Sequence, residues 1–195
     1  MPLYCATTNA GKLREYRLAA GELAGGLYTI APLPDLHRVA PAEEDGASFE
    51  ANAAAKAVYY SGYTSELVFA DDSGLAVDAL GGAPGVHSAH FAGPGATDEK
   101  NNRLLLERLD GVNDRRARFT CVIALARQGR LLAVFRGAVE GEILRAGRGA
   151  SGFGYDPLFY CPLVAKTFGE ASGAQKLAVS HRGEAVRKML AYLRR

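Results

Sequence analysis

Hydrophobic and polar positions in the first half of the chain predict strands and helices in alternation. Residues 3–7 are a short apolar run typical of a strand, and from Leu13 to about Leu23 the apolar residues recur at helical spacing. The alanine-rich segment 49–60 predicts a second helix, and 67–70 predicts a brief buried strand. Between the two helices, 33–46 is rich in proline and acidic residues and predicts a loop.

The second half combines glycine-rich segments with a predicted β-hairpin. Gln128-Gly129 separates two apolar stretches, which is a hairpin signal. The elements expected here are a helix over 98–109, strands over 117–127 and 130–139, an extension of the second strand over 140–143, and a basic helix over 184–193. Crowding by glycine and proline predicts loops over 81–97 and 147–156. Early alternation followed by a hairpin favours an α/β fold with a mixed sheet.

Composition agrees with a globular protein. The chain has 195 residues, of which 48% are apolar, so it can bury a core. This length suits one domain or two closely merged lobes, and we expect 1–195 to form a single domain. Lysine and arginine total 23 against 21 acids, a net charge of +2, which gives no electrostatic basis for a nucleic-acid or membrane partner. A small anion needs only a local cluster of cations.

Location and thiol chemistry are also predicted. The sequence contains neither a signal-peptide pattern nor an apolar stretch long enough to span a bilayer, so we expect a cytoplasmic protein. Its three cysteines, Cys5, Cys121 and Cys161, are far apart and lack CxxC spacing, which predicts buried free thiols rather than a disulfide framework or zinc site.

The first polar motif, Thr7-Thr8-Asn9-Ala10-Gly11-Lys12, links the first strand to the first helix. Backbone N–H groups at a helix start, together with the helix dipole, favour phosphate binding, and Lys12 would add a positive charge. The alternative is an ordinary helix start capped by Thr8 or Asn9, which is favoured for this motif alone. The motif lacks the GxxxxGK[ST] pattern of a P-loop.

A second motif, Asp71-Asp72-Ser73-Gly74, follows the predicted strand 67–70. Two adjacent buried carboxylates are unfavourable unless cations or hydrogen-bond donors compensate them. In a strand the two would point to opposite faces and serve different roles. Magnesium, bound through one or two carboxylates and substrate phosphates, would fit. The alternative is a turn in which Asp72 or Ser73 caps the following chain.

Two later motifs combine aromatic, glycine and basic residues. In Gly152-Phe153-Gly154-Tyr155-Asp156-Pro157, Phe153 could stack on a base, or the segment is a tight turn buried by its own rings. Ser180-His181-Arg182-Gly183, with Lys176 upstream, could donate hydrogen bonds to an anion or a purine carbonyl, or serve as a helix cap with surface charges. The acidic run Glu43-Glu44-Asp45 is uninformative alone.

The order of these motifs is more specific than any one of them. TTNAGK, a Ser-Phe-led helix containing Asn52 and Lys56, ADDSGLAVDALGGAPGVHSA, GFGYDPLF and SHRG follow one another along nearly the whole chain. This series closely resembles the inosine triphosphate pyrophosphatase family, house-cleaning enzymes that act on deaminated purine nucleotides. The resemblance implies an elongated two-lobed α/β fold around a central mixed sheet with the active-site cleft between the lobes. It also implies a homodimer and Mg²⁺-dependent hydrolysis of ITP, dITP and XTP to the monophosphate and pyrophosphate.

The resemblance also implies residue roles. Asp72 would activate water and, with Glu44, hold the metal, although Glu43 is an adjacent alternative to Glu44. The triphosphate would contact Lys56, Thr7, Thr8, Asn9, Ala10, Gly11 and Lys12, and Ser73 would contact the substrate. The base would contact Phe153, Gly154, Tyr155 and Asp156, and its six-position oxygen would be read by Lys176, His181 and Arg182.

Three positions depart from the family pattern. Ala51 stands where the family usually has glutamate, and His87 and His90 replace the usual tyrosine and arginine. From the residues alone, a nucleotide-binding module without turnover is an alternative, but it gives no reason for the Asp71-Asp72 pair. A related pyrophosphatase for pyrimidine or methylated nucleotides is another.

Overall fold

The computed structural model describes residues 2–23, 27–44 and 46–195. Within these ranges there are seven strands and five α-helices. The strands are β1 (Pro2–Cys5), β2 (Thr29–Pro32), β3 (Val68–Val77), β4 (Arg116–Arg127), β5 (Arg130–Ile143), β6 (Phe159–Cys161) and β7 (Lys166–Thr167). The helices are α1 (Ala10–Leu23), α2 (Phe49–Ser61), α3 (Asp98–Arg108), α4 (Gly173–Val179) and α5 (His181–Leu193). Asp45, part of the acidic run, lies outside the described residues.

The strands form one mixed sheet in the order β2-β1-β3-β4-β5-β6-β7. Strand β1 pairs in parallel with both β2 and β3, whereas β6 pairs antiparallel with β5 and β7. The predicted α/β fold with a mixed sheet is therefore confirmed. The predicted hairpin is also confirmed: Gln128 and Gly129 have φ values of 49° and 74°, the left-handed conformation that tight two-residue hairpin turns require.

The chain divides into two compact units. The first comprises Met1–Asp72, Cys121–Gly137 and Arg182–Arg195, and the second comprises Ser73–Thr120 and Ala138–His181. Each unit has its own apolar core. That 1–195 behaves as one domain stays a prediction.

The core of the first unit explains the alanine-rich sequence of α2. Ala53 and Ala57, one helical turn apart, are fully buried and pack in a cluster with Val68 and Ala70 of β3. Small side chains at i and i+4 allow the helix to lie close to the strand. This packing brings the side chains of α2 near the middle of β3, where Asp72 lies.

The core of the second unit is aromatic. Phe119 of β4 lies 4.6 Å from Phe159 of β6 and 6.1 Å from Phe168, measured between ring centroids. Tyr155 and Leu158, which follow the glycine-rich segment, are buried in the same cluster. The core therefore anchors the carboxyl-terminal side of the segment that carries Phe153.

Strand β3 is longer than predicted. The sequence predicts a strand ending at Ala70, but pairing continues to Val77, so Asp71, Asp72 and Ser73 lie within the strand. The sequence suggested that Gly74 forms a turn. In the structure, glycine is required there because Ser88 and Gly85 lie close to it, and a Cβ would collide with the Ser88 hydroxyl and the Gly85 carbonyl. The Ser88 hydroxyl accepts a hydrogen bond from the Leu75 N–H at 2.9 Å.

Other boundaries also differ. Helix α1 begins at Ala10 rather than Leu13, and α5 begins at His181 rather than Glu184, because the polar residues of each motif form the first helical turn. The sequence analysis did not identify β2, β6, β7 or α4, which have two to seven residues each and are too short for a clear periodic pattern. The three cysteines are free and buried, as predicted. None of the helices described has the length and apolar character needed to cross a membrane.

Candidate active site

The motif Thr7–Lys12 forms the exposed start of α1. The Asn9 side-chain oxygen accepts a hydrogen bond from the Lys12 N–H at 2.9 Å, and the Thr7 hydroxyl accepts one from the Asn9 N–H at 3.2 Å. Asn9 therefore caps the helix, as the simpler interpretation of this motif predicted. Thr8, Asn9 and Ala10 are exposed, whereas Gly11 is buried. The cap leaves the Lys12 side chain available for another contact.

That contact is with Asp71. The Lys12 ammonium lies 2.9 Å from Asp71 Oδ2, and the same oxygen lies 3.7 Å from the Arg182 guanidinium. Arg182 also contacts Glu15 at 2.5 Å. We call Lys12, Glu15, Asp71 and Arg182 the α1 cluster, since it joins the first turns of α1 to β3 and α5.

Charge balance in the α1 cluster sets its protonation. Burial would raise the pKa of Asp71, but the nearby charges of Lys12 and Arg182 outweigh it and hold the pKa well below its ordinary value. Burial would lower the pKa of Arg182, but Glu15 and the other nearby acids raise it well above its ordinary value. Asp71 and Arg182 are therefore both ionised, and within the cluster only the side chains of Lys12 and Glu15 are appreciably exposed, at 16% and 20%.

Asp72 contacts a different helix, as strand alternation predicts. Its Oδ2 accepts a hydrogen bond from the Asn52 amide at 3.0 Å, and its Oδ1 lies 3.4 Å from the Lys56 ammonium. Lys56 also lies 2.9 Å from the Glu44 carboxylate. We call Glu44, Asn52, Lys56 and Asp72 the α2 cluster. Of the two acids that were alternatives for this position, Glu44 is the one whose carboxylate contacts Lys56.

Protonation in the α2 cluster differs from that in the α1 cluster. Burial raises the pKa of Asp72, and the opposing effects of Lys56 and the Asn52 hydrogen bond only partly offset it. Burial would lower the pKa of Lys56, but Asp72 and the other acids raise it. Asp72 is therefore a stronger proton acceptor than an exposed aspartate, and it lies beside a permanent cation.

The aromatic motif forms a closed turn in the second unit. Asp156 Oδ2 accepts hydrogen bonds from the Phe153 N–H at 2.9 Å and from the Lys176 ammonium at 2.5 Å. That ammonium lies 5.0 Å from the Phe153 ring centroid and 5.2 Å from that of Phe168, within cation–π range. Gly152, at φ 79°, is required because a Cβ there would collide with the Asp156 carboxylate. We call Phe153, Asp156, Phe168 and Lys176 the aromatic cluster.

Two side chains of α3 form hydrogen bonds with the backbone of Gly154. Its N–H donates to Asp98 Oδ2 at 2.6 Å, and its carbonyl accepts from the Asn102 amide at 3.0 Å. Next to it, the Tyr155 hydroxyl donates to the Ser88 carbonyl at 2.8 Å. Phe153 and Gly154 remain half-buried, so their surfaces are partly accessible while the turn beneath them is fixed.

The three basic residues assigned to the six-position oxygen have different surroundings. Lys176 belongs to the aromatic cluster. The His181 ring is buried and stacks on Phe119, with centroids 4.8 Å apart and planes 12° from parallel. Arg182 belongs to the α1 cluster. Ser73, predicted to contact substrate, is half-buried in β3 beside Asp72. The contacts of all these residues with a base or a phosphate stay predictions.

Comparison with known proteins extends these observations to the whole chain. Residues 3–192 match the Ham1 family. This chain belongs to that family. A protein from Acidobacterium capsulatum named dITP/XTP pyrophosphatase is 48% identical, over 99% of this chain and 98% of its own length. A protein of the same name from an Exiguobacterium species is 47% identical, over 97% and 95%.

Solved Ham1 structures share the fold. The Staphylococcus aureus Ham1 protein matches with a TM-score of 0.85 at 38% identity, covering 100% of this chain and 98% of its own. A HAM1 protein from Coxiella burnetii has the same TM-score and identity, covering 99% and 98%. Ham1 membership and the shared name of the relatives confirm the family resemblance drawn from the motifs.

The residues that depart from the expected Ham1 family pattern lie on the surface. Ala51 is exposed in the first turn of α2, where its N–H donates to the capping hydroxyl of Ser48 at 3.1 Å. His87 and His90 are exposed on a short 3₁₀ helix, Gly85–His90. None of the three contributes to the α1, α2 or aromatic cluster as defined above.

The α2 cluster contains two carboxylates, which are oxygen ligands of the kind that magnesium prefers. Glu44 and Asp72 are carboxylates that both contact one ammonium group, so a cation already balances their charge. Within residues 2–23, 27–44 and 46–195, no three histidine, cysteine or acidic side chains form a metal-binding group. Two carboxylates suit magnesium, because this ion usually completes its coordination with waters and substrate phosphates.

Sequence reasoning overlooked several residues of the site. The sequence pattern identifies no partner for Glu15 or Asp71, and it indicates only that Asp98 and Asn102 lie in a helix. Their signals are weak because an acid or an amide on an amphipathic helix is usually solvent-exposed. Asn52 was recorded only as part of the family motif. A charged or amide residue in an otherwise alanine-rich helix would have been the best available signal.

Proposed function

We propose that this chain hydrolyses the deaminated purine nucleoside triphosphates ITP, dITP and XTP to the monophosphate and pyrophosphate. The observation that carries the proposal is the pair Asp71-Asp72, whose adjacent carboxylates contact a lysine each, Lys12 and Lys56. The names of relatives that match nearly the full length supply the substrate class. A binding module without turnover would not need a buried aspartate with a raised pKa.

The triphosphate is assigned to the α1 and α2 clusters. Lys12 and Lys56 would bind its oxygens, together with the backbone of Thr7, Thr8, Asn9, Ala10 and Gly11 at the α1 start and with the Ser73 hydroxyl. Helix N-termini favour anions through their N–H groups and dipole. Both lysines are held by carboxylates, so little conformational entropy is lost when they meet the substrate.

The chemical step is assigned to Asp72. Its carboxylate accepts a proton from a water molecule, which attacks the α-phosphorus; the bond from that phosphorus to the β-phosphate oxygen breaks, and pyrophosphate leaves. The raised pKa of Asp72 suits it to general-base catalysis, which is typically worth roughly 10²–10⁴-fold in rate. Lys12 and Lys56 stabilise the charge on the leaving group. Glu44 and Asp72 would hold Mg²⁺, which would neutralise negative charge on the triphosphate.

The base is assigned to Phe153, Gly154, Tyr155 and Asp156, with Lys176, His181 and Arg182 as donors to its six-position oxygen. Adenine carries an amino group at that position, so its binding would leave buried donors unpaired. Each such mismatch costs about 1–3 kcal/mol, which disfavours ATP when two or more occur. We also propose a homodimer, as the family resemblance implies, and a cytoplasmic location, as the sequence pattern predicts.

Pyrophosphate release from a panel of triphosphates tests the proposed function. We expect rapid release from ITP, dITP and XTP with Mg²⁺, little release from ATP and dUTP, and none with EDTA. Equal rates for ATP and ITP would refute the base assignment. Tight binding of ITP without hydrolysis would favour a sensing module, and preference for dUTP would favour a pyrimidine enzyme.

A further inference from the structure

Asn52 connects Asp72 to the loop that carries Glu44. It lies in α2 with only 4% of its surface exposed. Its amide nitrogen donates to Asp72 Oδ2 at 3.0 Å, and its amide oxygen accepts from the Gly46 N–H at 2.9 Å. Gly46 lies two residues after Glu44 in the sequence.

The two ends of the Asn52 amide cannot be exchanged. A carboxylate can only accept and a backbone N–H can only donate, so the nitrogen must face Asp72 and the oxygen must face Gly46. No other side chain of this size has a donor and an acceptor in this arrangement. Aspartate would place a second carboxylate against Asp72, and leucine would remove both hydrogen bonds.

The backbone at Gly46 lies very close to the Asn52 side chain. A Cβ on Gly46 would lie 2.5 Å from the Asn52 amide oxygen and 3.0 Å from the Ala51 Cβ, so a side chain at this position would push the loop and the amide apart. Lys56 forms a separate bridge between Glu44 and Asp72 through its charge. The Asn52 bridge differs because it is directional.

We infer that Asn52 is a positioning residue that sets the placement of Asp72 relative to the Glu44 loop. This inference rests on the proposed function, in which Asp72 accepts the proton and both acids belong to the metal site. Polar groups that orient a metal-binding carboxylate typically account for about 10- to 100-fold in metal affinity or activity. A lone ammonium such as Lys56 balances charge but does not fix orientation.

A matched control exists in α3. Asn101 is also 4% exposed and also bridges a helix to a loop: it accepts from the Ala92 N–H at 2.9 Å and donates to the Ala89 carbonyl at 3.1 Å. Its side-chain hydrogen bonds within the described part of the chain are to Ala92 and Ala89, neither of which is assigned to chemistry. Leucine at Asn52 or at Asn101 therefore removes two hydrogen bonds in each case, and only the substitution at Asn52 should affect catalysis beyond its effect on stability.

The experiment compares Asn52→Leu, Asn52→Asp and Asn101→Leu. For each variant, kcat and KM for ITP, the thermal midpoint, and the Kd of α,β-methylene-ITP with EDTA and with Mg²⁺ are measured. We expect kcat of both Asn52 variants to fall by about 10- to 100-fold. The Mg²⁺-dependent gain in analogue affinity should shrink in both Asn52 variants, whereas the affinity in EDTA should stay unchanged in the uncharged variant Asn52→Leu. Asn101→Leu should lower the thermal midpoint but keep kcat and the Mg²⁺ gain.

Gly46→Ala provides a second route that leaves α2 intact. Its φ is not in the left-handed region, so alanine is compatible with the backbone, and the added methyl group disturbs the same bridge from the loop side. We expect Gly46→Ala to lower kcat and the Mg²⁺-dependent gain in analogue affinity, each by less than the Asn52 variants do. This result tests the inference even if an Asn52 variant folds poorly.

Specific results would overturn the inference. One is that folded Asn52→Asp and Gly46→Ala both keep the wild-type kcat and the wild-type Mg²⁺-dependent gain in analogue affinity. The other is that Asn101→Leu loses as much kcat as Asn52→Leu at the same thermal midpoint. A different result, absence of pyrophosphate release by the wild type with ITP and Mg²⁺, would overturn the proposed function instead.

Discussion

The Lys12 ammonium lies 2.9 Å from Asp71 Oδ2, and the aspartate side chain is 1% exposed whereas the lysine side chain is 16% exposed. Asp71 is thus a buried anchor, and Lys12 is the part of the pair that solvent or an anion reaches. Arg182 approaches the same oxygen from α5 at 3.7 Å. The lysine at the α1 start is therefore positioned by its partner in β3 before any ligand binds.

This arrangement predicts that Asp71→Asn is strongly destabilising. Removing one partner of a buried ion pair typically costs about 3–5 kcal/mol, since it leaves buried charge uncompensated. Because the folded pKa of Asp71 is below its ordinary value, its contribution is present above the unfolded pKa, about 4, and is lost as the pH falls toward the folded pKa. Urea unfolding should therefore show a large difference between wild type and variant at pH 7 that narrows below about pH 4.

Asp114 supplies the matched control for that measurement. Arg116 lowers the pKa of Asp114 to about 2, but the carboxylate is on the surface, where solvent screens the pair. Asp114→Asn should change the free energy of unfolding little at any pH. If Asp71→Asn behaved like Asp114→Asn, Asp71 would not be the anchor described above.

The different partners of Asp71 and Asp72 show which features of the site can be predicted from the sequence. Alternation in a strand predicted that the two carboxylates would face different surroundings, and they do, since one contacts α1 and α5 and the other contacts α2. The sequence could not identify those partners, because long-range contacts depend on how the elements pack. It also ended β3 too early, because Gly74 suggests a turn unless its contact with Ser88 is known.

The same limitation applies to the aromatic motif. A tight turn was one of the two interpretations of its glycines, and Gly152 has the left-handed φ of 79° that such a turn requires. The buried pair of Asp156 and Lys176 joins residues 20 positions apart, so spacing within the motif did not reveal it. Family resemblance named both residues, but it gave no account of Asp98 and Asn102, which hold the backbone of Gly154.

Replacing Asp72 with asparagine tests the assigned base. The substitution keeps the size of the side chain but removes its ability to accept a proton at catalytic pH. We expect kcat for ITP to fall by roughly 10²–10⁴-fold, with ITP binding in EDTA retained, as measured by pyrophosphate release and calorimetry. Activity within a few-fold of wild type would rule out Asp72 as the base. Asp114→Asn again serves as the control for a general effect of charge.

The hydrogen bonds that Asp98 and Asn102 form with the Gly154 backbone predict that a substitution at Asp98 selectively lowers nucleotide affinity. Asp98→Ala removes the acceptor for the Gly154 N–H, so the turn that presents Phe153 should loosen. We expect KM for ITP to rise, while inhibition by pyrophosphate, which has no base, stays unchanged. Asp98→Asn keeps an acceptor oxygen at the same place and should restore much of the affinity. Parallel weakening of ITP and pyrophosphate would indicate a general structural defect instead.

Thiol reactivity tests the burial of the α1 cluster. Cys121 lies in β4 with its sulfur 3.9 Å from Asp71 Oδ2, and burial, with the negative charge of Asp71, raises the pKa of its thiol to about 12. At pH 8 roughly one such thiol in 10⁴ is ionised, so native protein should react very slowly with a thiol reagent, whereas urea-unfolded protein should react rapidly at three sites. Slow labelling of Cys121 in the native protein then reports local opening of the structure around it. If Lys12 holds the nucleotide, bound α,β-methylene-ITP should slow this labelling further. Rapid labelling of Cys121 in the native protein would contradict the buried arrangement around Asp71.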